Sequence, residues 1–513
     1  MKPLDLFDIN FSMKTLQINL LLLLFLSTPL FSQEQHFITK ESPKYKDQFK
    51  SSYIINIHTT PDQLNVIARK SKSHLVFESF DEEAKGKNIL LVNINRKESY
   101  VGELFYDHTF RVFLVESPSK TERILNCYTY NVTENTYTKT TLFKKKVQKK
   151  GKLFSGENKR QTNFAVSSNN KYIAIAVDNI KKNSNSYDVY VYNASNLTLA
   201  YTKSYYSNTE KFYTASDMVV DDNGTVYHIG KEYFKGRRER KKAKANYSYV
   251  LSKIEEKNVS TSKIELTEDE FIKNLNMSFI DNKLRLIGYY SKDKAFGIKG
   301  VSTIYLDKSS LSLLDKKKQE LPLKVFEDLY GYRSAKSKKN SELTGFDLDY
   351  LLEDDDGNTY LVAEEFYVVQ VYVSNGMNGG TYVTTFHYDD ILITKLDAKG
   401  NLLWGRSIFK RANKPSYNAF LNHNQLHVVL NSGKKLLQKQ DGRLKVSKGW
   451  FESTALYVFL YDKEGNVIHE KIQDNKKKTK YTPYTGSYAD GKFVMYNHSM
   501  KRKKIMLLTC KEE

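Results

Sequence analysis

Few residues in this chain stand in patterns that do chemistry. The densest carboxylate group is Asp347, Asp349, Glu353, Asp354, Asp355 and Asp356. Its D-D-D-G tip puts oxygen ligands close together, as a calcium site requires, which makes Asp354, Asp355 and Asp356 the candidate ligands. The ordered spacing and closing glutamate of a calcium loop are missing, so a solvated hairpin turn is the competing reading. His423 and His427 are four apart, but FLNHNQLHVVL reads as a β-hairpin, and there is no H-E-x-x-H. With no cysteine cluster either, no metal site is assigned. A G-x-S-x-G elbow, a phosphate loop and a dinucleotide fingerprint are all absent. No catalytic residue and no cofactor are therefore expected. A spatial triad or a pair of carboxylates needs no local motif. That keeps a hydrolase or lyase acting on an anionic polysaccharide as the alternative.

Two other features point to binding. Basic runs occur at Lys144–Lys150, Arg237–Lys244, Lys316–Lys318, Lys476–Lys480 and Lys501–Lys504. Arg237, Arg238, Arg240 and Lys241 lie in one inter-strand loop, and Asn475–Lys480 forms another. Projecting from one face, such loops make a positive rim for a polyanion, such as an acidic glycan, a lipopolysaccharide phosphate or extracellular DNA. A merely solubilising lysine-rich surface is the plainer reading. The runs are mostly Lys, whereas specific base or phosphate recognition leans on Arg forks, so specific nucleic-acid recognition is not expected. The second feature is the insertion FYVVQVYVSNGMNGGTYVTTFH, Phe366 to His387. Period-2 counting puts Phe366 and Tyr372 on one face, Tyr382 and Phe386 on one face of the return strand, and Tyr367 on the other side. An aromatic hairpin face is either a ligand or partner anchor or a cover for a neighbouring element.

These residues are carried by a chain of 513 residues with net charge +21, 40% apolar residues, 8 Pro and 2 Cys. The low Gly and Cys counts exclude collagen and a disulfide scaffold, and 37 Tyr with 28 Phe exclude wholesale disorder. Cys127 and Cys510 are too few for a disulfide framework. Met13 to Gln33, MKTLQINLLLLLFLSTPLFSQ, has the order of a secretory signal, with a short apolar run and a Pro before small residues. Residues 1–32 are read as that signal with Met13 as the better start, 33–51 as a polar arm, and 52–513 as one domain. Periplasmic, secreted or cell-surface residence follows as the expectation, with no span in the mature chain.

The domain reads as a repeated β unit. Thr214–Gly230 (TASDMVVDDNGTVYHIG) is a hairpin, followed by a second hairpin at Ser248–Leu266. Asn276–Gly288 with Ser302–Glu320, Asp347–Val362 with Ile391–Ile408, and Tyr417–Leu430 with Ala455–Ile472 repeat it. Phe164–Val177 with Tyr187–Tyr205, and Leu104–Glu116 with Ile124–Phe143, are weaker copies. Gly486–Tyr496 with Lys504–Cys510 lacks a last strand. The sequence therefore predicts an all-β propeller of seven four-stranded blades. An N-terminal strand, Tyr53–His58 or Asn88–Asn95, would complete the seventh blade and close the ring. Tyr53–Asn95 holds four strand-like runs, which an eight-blade count would use as another blade.

The second hairpin, as in ITKLDAKGNLLW at Ile393–Trp404 and partly at Val458–Ile468, resembles the repeat of exported bacterial propellers of Bacteroidota type. There a hydrophobic-x-Lys-hydrophobic-Asp-x-x-Gly-x-hydrophobic-x-Trp pair recurs. The resemblance implies the propeller shape and an envelope location. Only Trp404 and Trp450 are present, so the Trp docking pattern of quinoprotein propellers is missing. The expectation is a non-catalytic exported binding or scaffold protein that meets a protein or glycan at the cell envelope.

Overall fold

The computed structural model describes residues 36–511 apart from 48, 50–53, 107, 148–163, 182–183, 207–210, 236–237, 240–244, 267–269, 293–296, 375–379, 450 and 500. Seven four-stranded antiparallel sheets and one five-stranded sheet follow one another along the chain. Each sheet is a blade whose strands are lettered A to D from the inside out. Most neighbouring A strands touch, including Ile54–Thr59 of blade 1 with Ser487–Ala489 of blade 8, so the sheets form a ring around the A strands. Blades 2 to 8 begin with Glu98–Tyr106, Phe164–Val166, Phe212–Val220, Asn276–Ile280, Phe346–Glu353, Tyr417–Asn422 and Ser487–Ala489.

The propeller has eight blades, which corrects the expected seven. Tyr53–Asn95 supplies a complete blade 1, with strands Ile54–Thr59, Asn65–Lys70, His74–Phe80 and Gly86–Asn93. Neither expected closing strand completes the last sheet, because both belong to that blade. The strand beside Ile505–Cys510 is Phe37–Glu41, with Phe37 opposite Cys510 and Glu41 opposite Met506. It falls in the segment read as a polar arm. As an outermost strand it buries Phe37 and leaves Ile38 and Thr39 exposed, so FITKE carries little hydrophobic signal. Cys127 and Cys510 are both free thiols.

The middle strands read as apolar runs because blades pack face to face and cover both sides. Every residue of Val226–Tyr233 is buried, as is all of Gly300–Asp307 except its end. Outer strands such as Leu313–Glu320 (LLDKKKQE) are largely exposed. Several A–B and C–D links, at Asp221, Asp354, Asp397 and Asp462, are tight turns built on Asp-x-x-Gly. Asp354, Asp397 and Asp462 each accept the backbone N–H of the Asn four residues on, at 2.7–2.8 Å, and that Asn donates its side-chain amide to the other carboxylate oxygen. The glycines at Gly357, Gly400 and Gly465 hold φ of 75–83°, which only Gly adopts without strain.

Alternating strand direction sorts the connections onto two faces. Turns A–B and C–D lie on one face, which carries Asp81–Glu83, Asp221–Asp222, Asp354–Asp356, and Asp462 with Glu464. Links B–C and D–A lie on the other, hereafter the connection face. It carries Lys434–Lys448, Lys476–Lys480 and Lys501–Lys504. A helical pair, Leu323–Tyr330 and Tyr332–Lys339, is the D–A link between blades 5 and 6. The first helix buries Val325, Phe326 and Leu329, and the second exposes Lys336 and Lys338.

Candidate functional site

The hairpin of blade 6 is the longest in the molecule's described part, with strands B at Thr359–Ser374 and C at Gly380–Leu396. Its apolar stretches are interrupted by Glu364–Glu365 and Asp389–Asp390. The D–A link that follows begins with Phe409, then Lys410 and Arg411. Four carboxylates and two cations thus meet at the hairpin base. Lys410 is 2% exposed and all its donors are used: Glu364 Oε1 at 2.7 Å, the Tyr388 carbonyl at 2.7 Å and Ser416 Oγ at 3.0 Å. Arg411 donates to Asp389 Oδ2 at 3.0 Å and lies 3.2 Å from Asp390 Oδ2 and 3.8 Å from Glu365 Oε2. Burial works against its charge, but the three carboxylates outweigh this and hold Arg411 above its ordinary pKa. Burial pushes Asp390 up to about 7 despite Arg411, and it raises Glu365 too.

Above this base, Tyr367 stands opposite His387 in register. Their rings stack at 4.6 Å with an interplanar angle of 2°. The Tyr367 hydroxyl donates to Asp389 Oδ2 at 2.7 Å, and that bond, with burial and the nearby charge, pushes the phenol up to about 12. His387 Nδ1 lies 3.7 Å from Asp389 Oδ1. The phenol is therefore a hydrogen-bond donor at neutral pH, not a base.

Tyr367, His387 and Asp389 form one end of a cavity of about 770 Å³ on the connection face of blades 6 to 8. Lys414, Lys448, Lys480 and His498 line the rest of it. A second cavity of about 790 Å³ adjoins it, sharing Lys480 and His498 and adding Lys44, Lys477, Lys478 and Lys504. Together they make a groove over three blades. Lys44, Lys414, Lys448, Lys477, Lys478 and Lys480 are exposed, and none forms an ion pair among the described residues. Among the described residues, the carboxylates lining the groove are Asp389, which faces Arg411, and Glu41, which pairs with Lys504.

The sequence-derived candidates fall around this groove unevenly. Phe366 is opposite Tyr388, with rings 4.9 Å apart, Phe386 is opposite Val368 and half exposed, and Tyr372 is opposite Tyr382. The register thus puts all four positions on one hairpin face, while Tyr367 and His387 of the other face line the groove. The side chains of Tyr372 and Tyr382 lie outside the described residues. Arg238 is exposed in the blade 4 B–C link, and Arg237, Arg240 and Lys241 lie outside the described residues. Asp354 spends its carboxylate on its own turn, and Asp356 Oδ2 accepts from Asn424 Nδ2 at 3.2 Å. Among the described residues no three His, Cys, Asp or Glu side chains are arranged to hold a metal ion. His427 is buried, its ring stacked on Phe420 and its Nδ1 2.9 Å from the Gln425 carbonyl, and burial holds it down at about 4. Sequence reasoning missed Glu364, Glu365, Asp389, Asp390, Lys410 and Arg411. Their signal was charged doublets set inside or beside apolar strands, where alternation alone would not put them.

No protein-family model and no curated protein matches the chain. Among solved structures it is similar to an oligogalacturonate lyase from Vibrio parahaemolyticus, at 10% identity over 90% of this chain and 99% of that one, TM-score 0.42. The WD40 domain of SCAP from fission yeast matches at 7% identity over 93% and 99%, TM-score 0.42. The β-propeller domain of the Trilobed protease from Pyrococcus furiosus matches at 10% identity over 81% and 96%, TM-score 0.36. These are distant propellers, and none of the matches points specifically to an exported repeat family of Bacteroidota type. No helix among the described residues is long and apolar enough to cross a membrane.

Proposed function

We propose that the protein is an exported binding module that holds an extended polyanion along the groove of blades 6 to 8. The observation that carries this is the row of exposed lysines, Lys414, Lys448, Lys480, Lys477 and Lys478, lining two joined cavities without ion-pair partners among the described residues. Lysines not already spent on carboxylates are free to neutralise a ligand's charges, and a concave wall of one sign concentrates that attraction. Lys410 is not one of them, since its three bonds brace the link that presents Lys414. The signal-like segment at Met13–Gln33 supports export.

A test is binding of heparin and of polyphosphate to the full chain by titration calorimetry across salt concentrations. Binding should weaken steeply with salt, and the double variant Lys448→Glu/Lys480→Glu should lose at least tenfold in affinity. Salt-independent binding, or an unaffected double variant, would remove the groove from consideration.

A second reading, a hydrolase or lyase on the same polymer, is favoured by one observation. Asp389 lines the groove and accepts bonds from the Tyr367 phenol and the Arg411 guanidinium, so a carboxylate, a phenol and a guanidinium meet where a polymer would lie. New reducing ends or unsaturated ends appearing in an acidic polysaccharide, and abolished by Asp389→Asn, are the expected sign of turnover.

A further inference from the structure

We infer that the end of the groove at Tyr367 and His387 is a sugar-stacking subsite, so that the polymer is an anionic polysaccharide rather than a nucleic acid or a simple phosphate chain. The inference rests on the groove being an anion site and names its ligand class. Tyr367 and His387 are stacked on each other nearly parallel, at 4.6 Å and 2°, and both line the cavity. In this face-to-face pair each ring covers one face of the other, so the pair offers the cavity an outer ring face held rigid by its stacked partner across two paired strands. It is fixed further by the Tyr367 bond to Asp389 and by the strand register. An aromatic ring face of this kind binds the apolar face of a pyranose ring, which is otherwise a poor fit to a lysine groove.

The polar groups at that wall select among ring-bearing polymers. Asp389 carries the carboxylate at this end, and its oxygens have acceptor capacity beyond Tyr367 and Arg411. A sugar supplies hydroxyl donors to such an oxygen. A phosphodiester has none, and its negative charge next to Asp389 is repelled. Arg411, the one guanidinium among the described residues lining the cavity, faces Asp389, Asp390 and Glu365, so among those residues no Arg fork is left for base edges or phosphates. Beyond the wall the cations are lysines spread along the groove, Lys414 and Lys448 first and then Lys480, Lys477 and Lys478. That order matches a chain of rings bearing carboxylate or sulfate groups: one ring on the wall, its neighbours held by charge.

The experiment compares a heparin decasaccharide, polyphosphate of matched charge and a single-stranded DNA oligomer on the full chain and on Tyr367→Leu and Tyr367→Phe. Tyr367→Leu should weaken heparin binding at least tenfold and leave polyphosphate binding within twofold. Tyr367→Phe keeps the ring and should restore heparin binding to within about threefold, which separates a lost wall from a damaged fold. Heparin binding untouched by Tyr367→Leu overturns the subsite while the groove stands. DNA bound more tightly than heparin, with the same dependence on the Tyr367 ring, overturns the glycan assignment in favour of nucleic acid. If heparin and polyphosphate both fail to bind the unaltered protein, the polyanion groove falls and the subsite with it.

Discussion

Replacing Asp390 by Asn should make the protein more stable at pH 8 and barely change it at pH 4. The side chain is buried, with Glu365 and Asp389 nearby as like charges and Arg411 opposite; it accepts the Lys410 N–H at 3.1 Å. Its folded pKa of about 7 stands above the ordinary aspartate value of 3.8. A carboxyl with a raised folded pKa contributes stability that is fully present below the unfolded pKa. That contribution is lost as pH rises through the folded value. The wild-type protein thus loses stability between about pH 4 and pH 7 and carries the whole penalty at pH 8. At about 1.4 kcal/mol per unit, the ceiling is about 4 kcal/mol. Asn keeps the acceptor for Lys410 but turns an amide toward Arg411, a donor against a donor, which offsets part of the gain. A net stabilisation of about 2 kcal/mol at pH 8, vanishing near pH 4, is expected. Urea unfolding followed by tyrosine and tryptophan fluorescence at pH 4, 6 and 8 measures it. A variant less stable than wild type at pH 8, or a difference that does not change with pH, would refute the buried-charge argument.

Three further outcomes follow from the same kind of reasoning. Lys503 is fully buried with no hydrogen-bond partner for Nζ, and burial holds it down at about 8. A depressed folded pKa gives stability present above the unfolded value of 10.5 and lost as pH falls through 8, so Lys503→Met should stabilise by roughly 1–3 kcal/mol at pH 7 and by little at pH 10.5, read by urea unfolding at both. Gly465 holds φ +83°, and a Cβ there would sit 2.7 Å from the Trp404 ring, so Gly465→Ala should cost about 1–3 kcal/mol in the same assay. Deleting residues 1–41 removes the Phe37–Glu41 strand and bares the edge of Ile505–Cys510; concentration-dependent aggregation in light scattering is expected, and a stable monomer would contradict the role given to that strand.

What the letters disclosed depended on how each strand is buried. Middle strands such as Val226–Tyr233 and the Asp-x-x-Gly turns carry dense local signals, and the units from Leu104 to Cys510 coincide with blades 2 to 8. The blade count failed because closure uses Phe37–Glu41, whose exposed, polar outer-strand character looks like a tail, which left Tyr53–Asn95 free to form a blade of its own. The groove was less legible. Its lysines come from links far apart in the chain, Lys44, Lys414, Lys448 and Lys480, and only ring closure brings them together. The aromatic face counted along Phe366, Tyr372, Tyr382 and Phe386 is a real register, but period-2 counting cannot tell which side of a hairpin looks into a cavity.

The sorting of acidic turns and basic links onto opposite ends of the ring has a consequence for how the molecule travels. A body with net charge +21 whose positive charge is concentrated at one end feels a torque as well as a pull near an anionic surface. It turns its lysine-bearing end forward before contact and keeps Asp221–Asp222 and Asp354–Asp356 trailing. The lysine-bearing end therefore reaches such a surface first, and encounters in the opposite orientation are fewer. Within about 8–10 Å of the surface at ordinary ionic strength this alignment acts, and salt abolishes it together with the attraction.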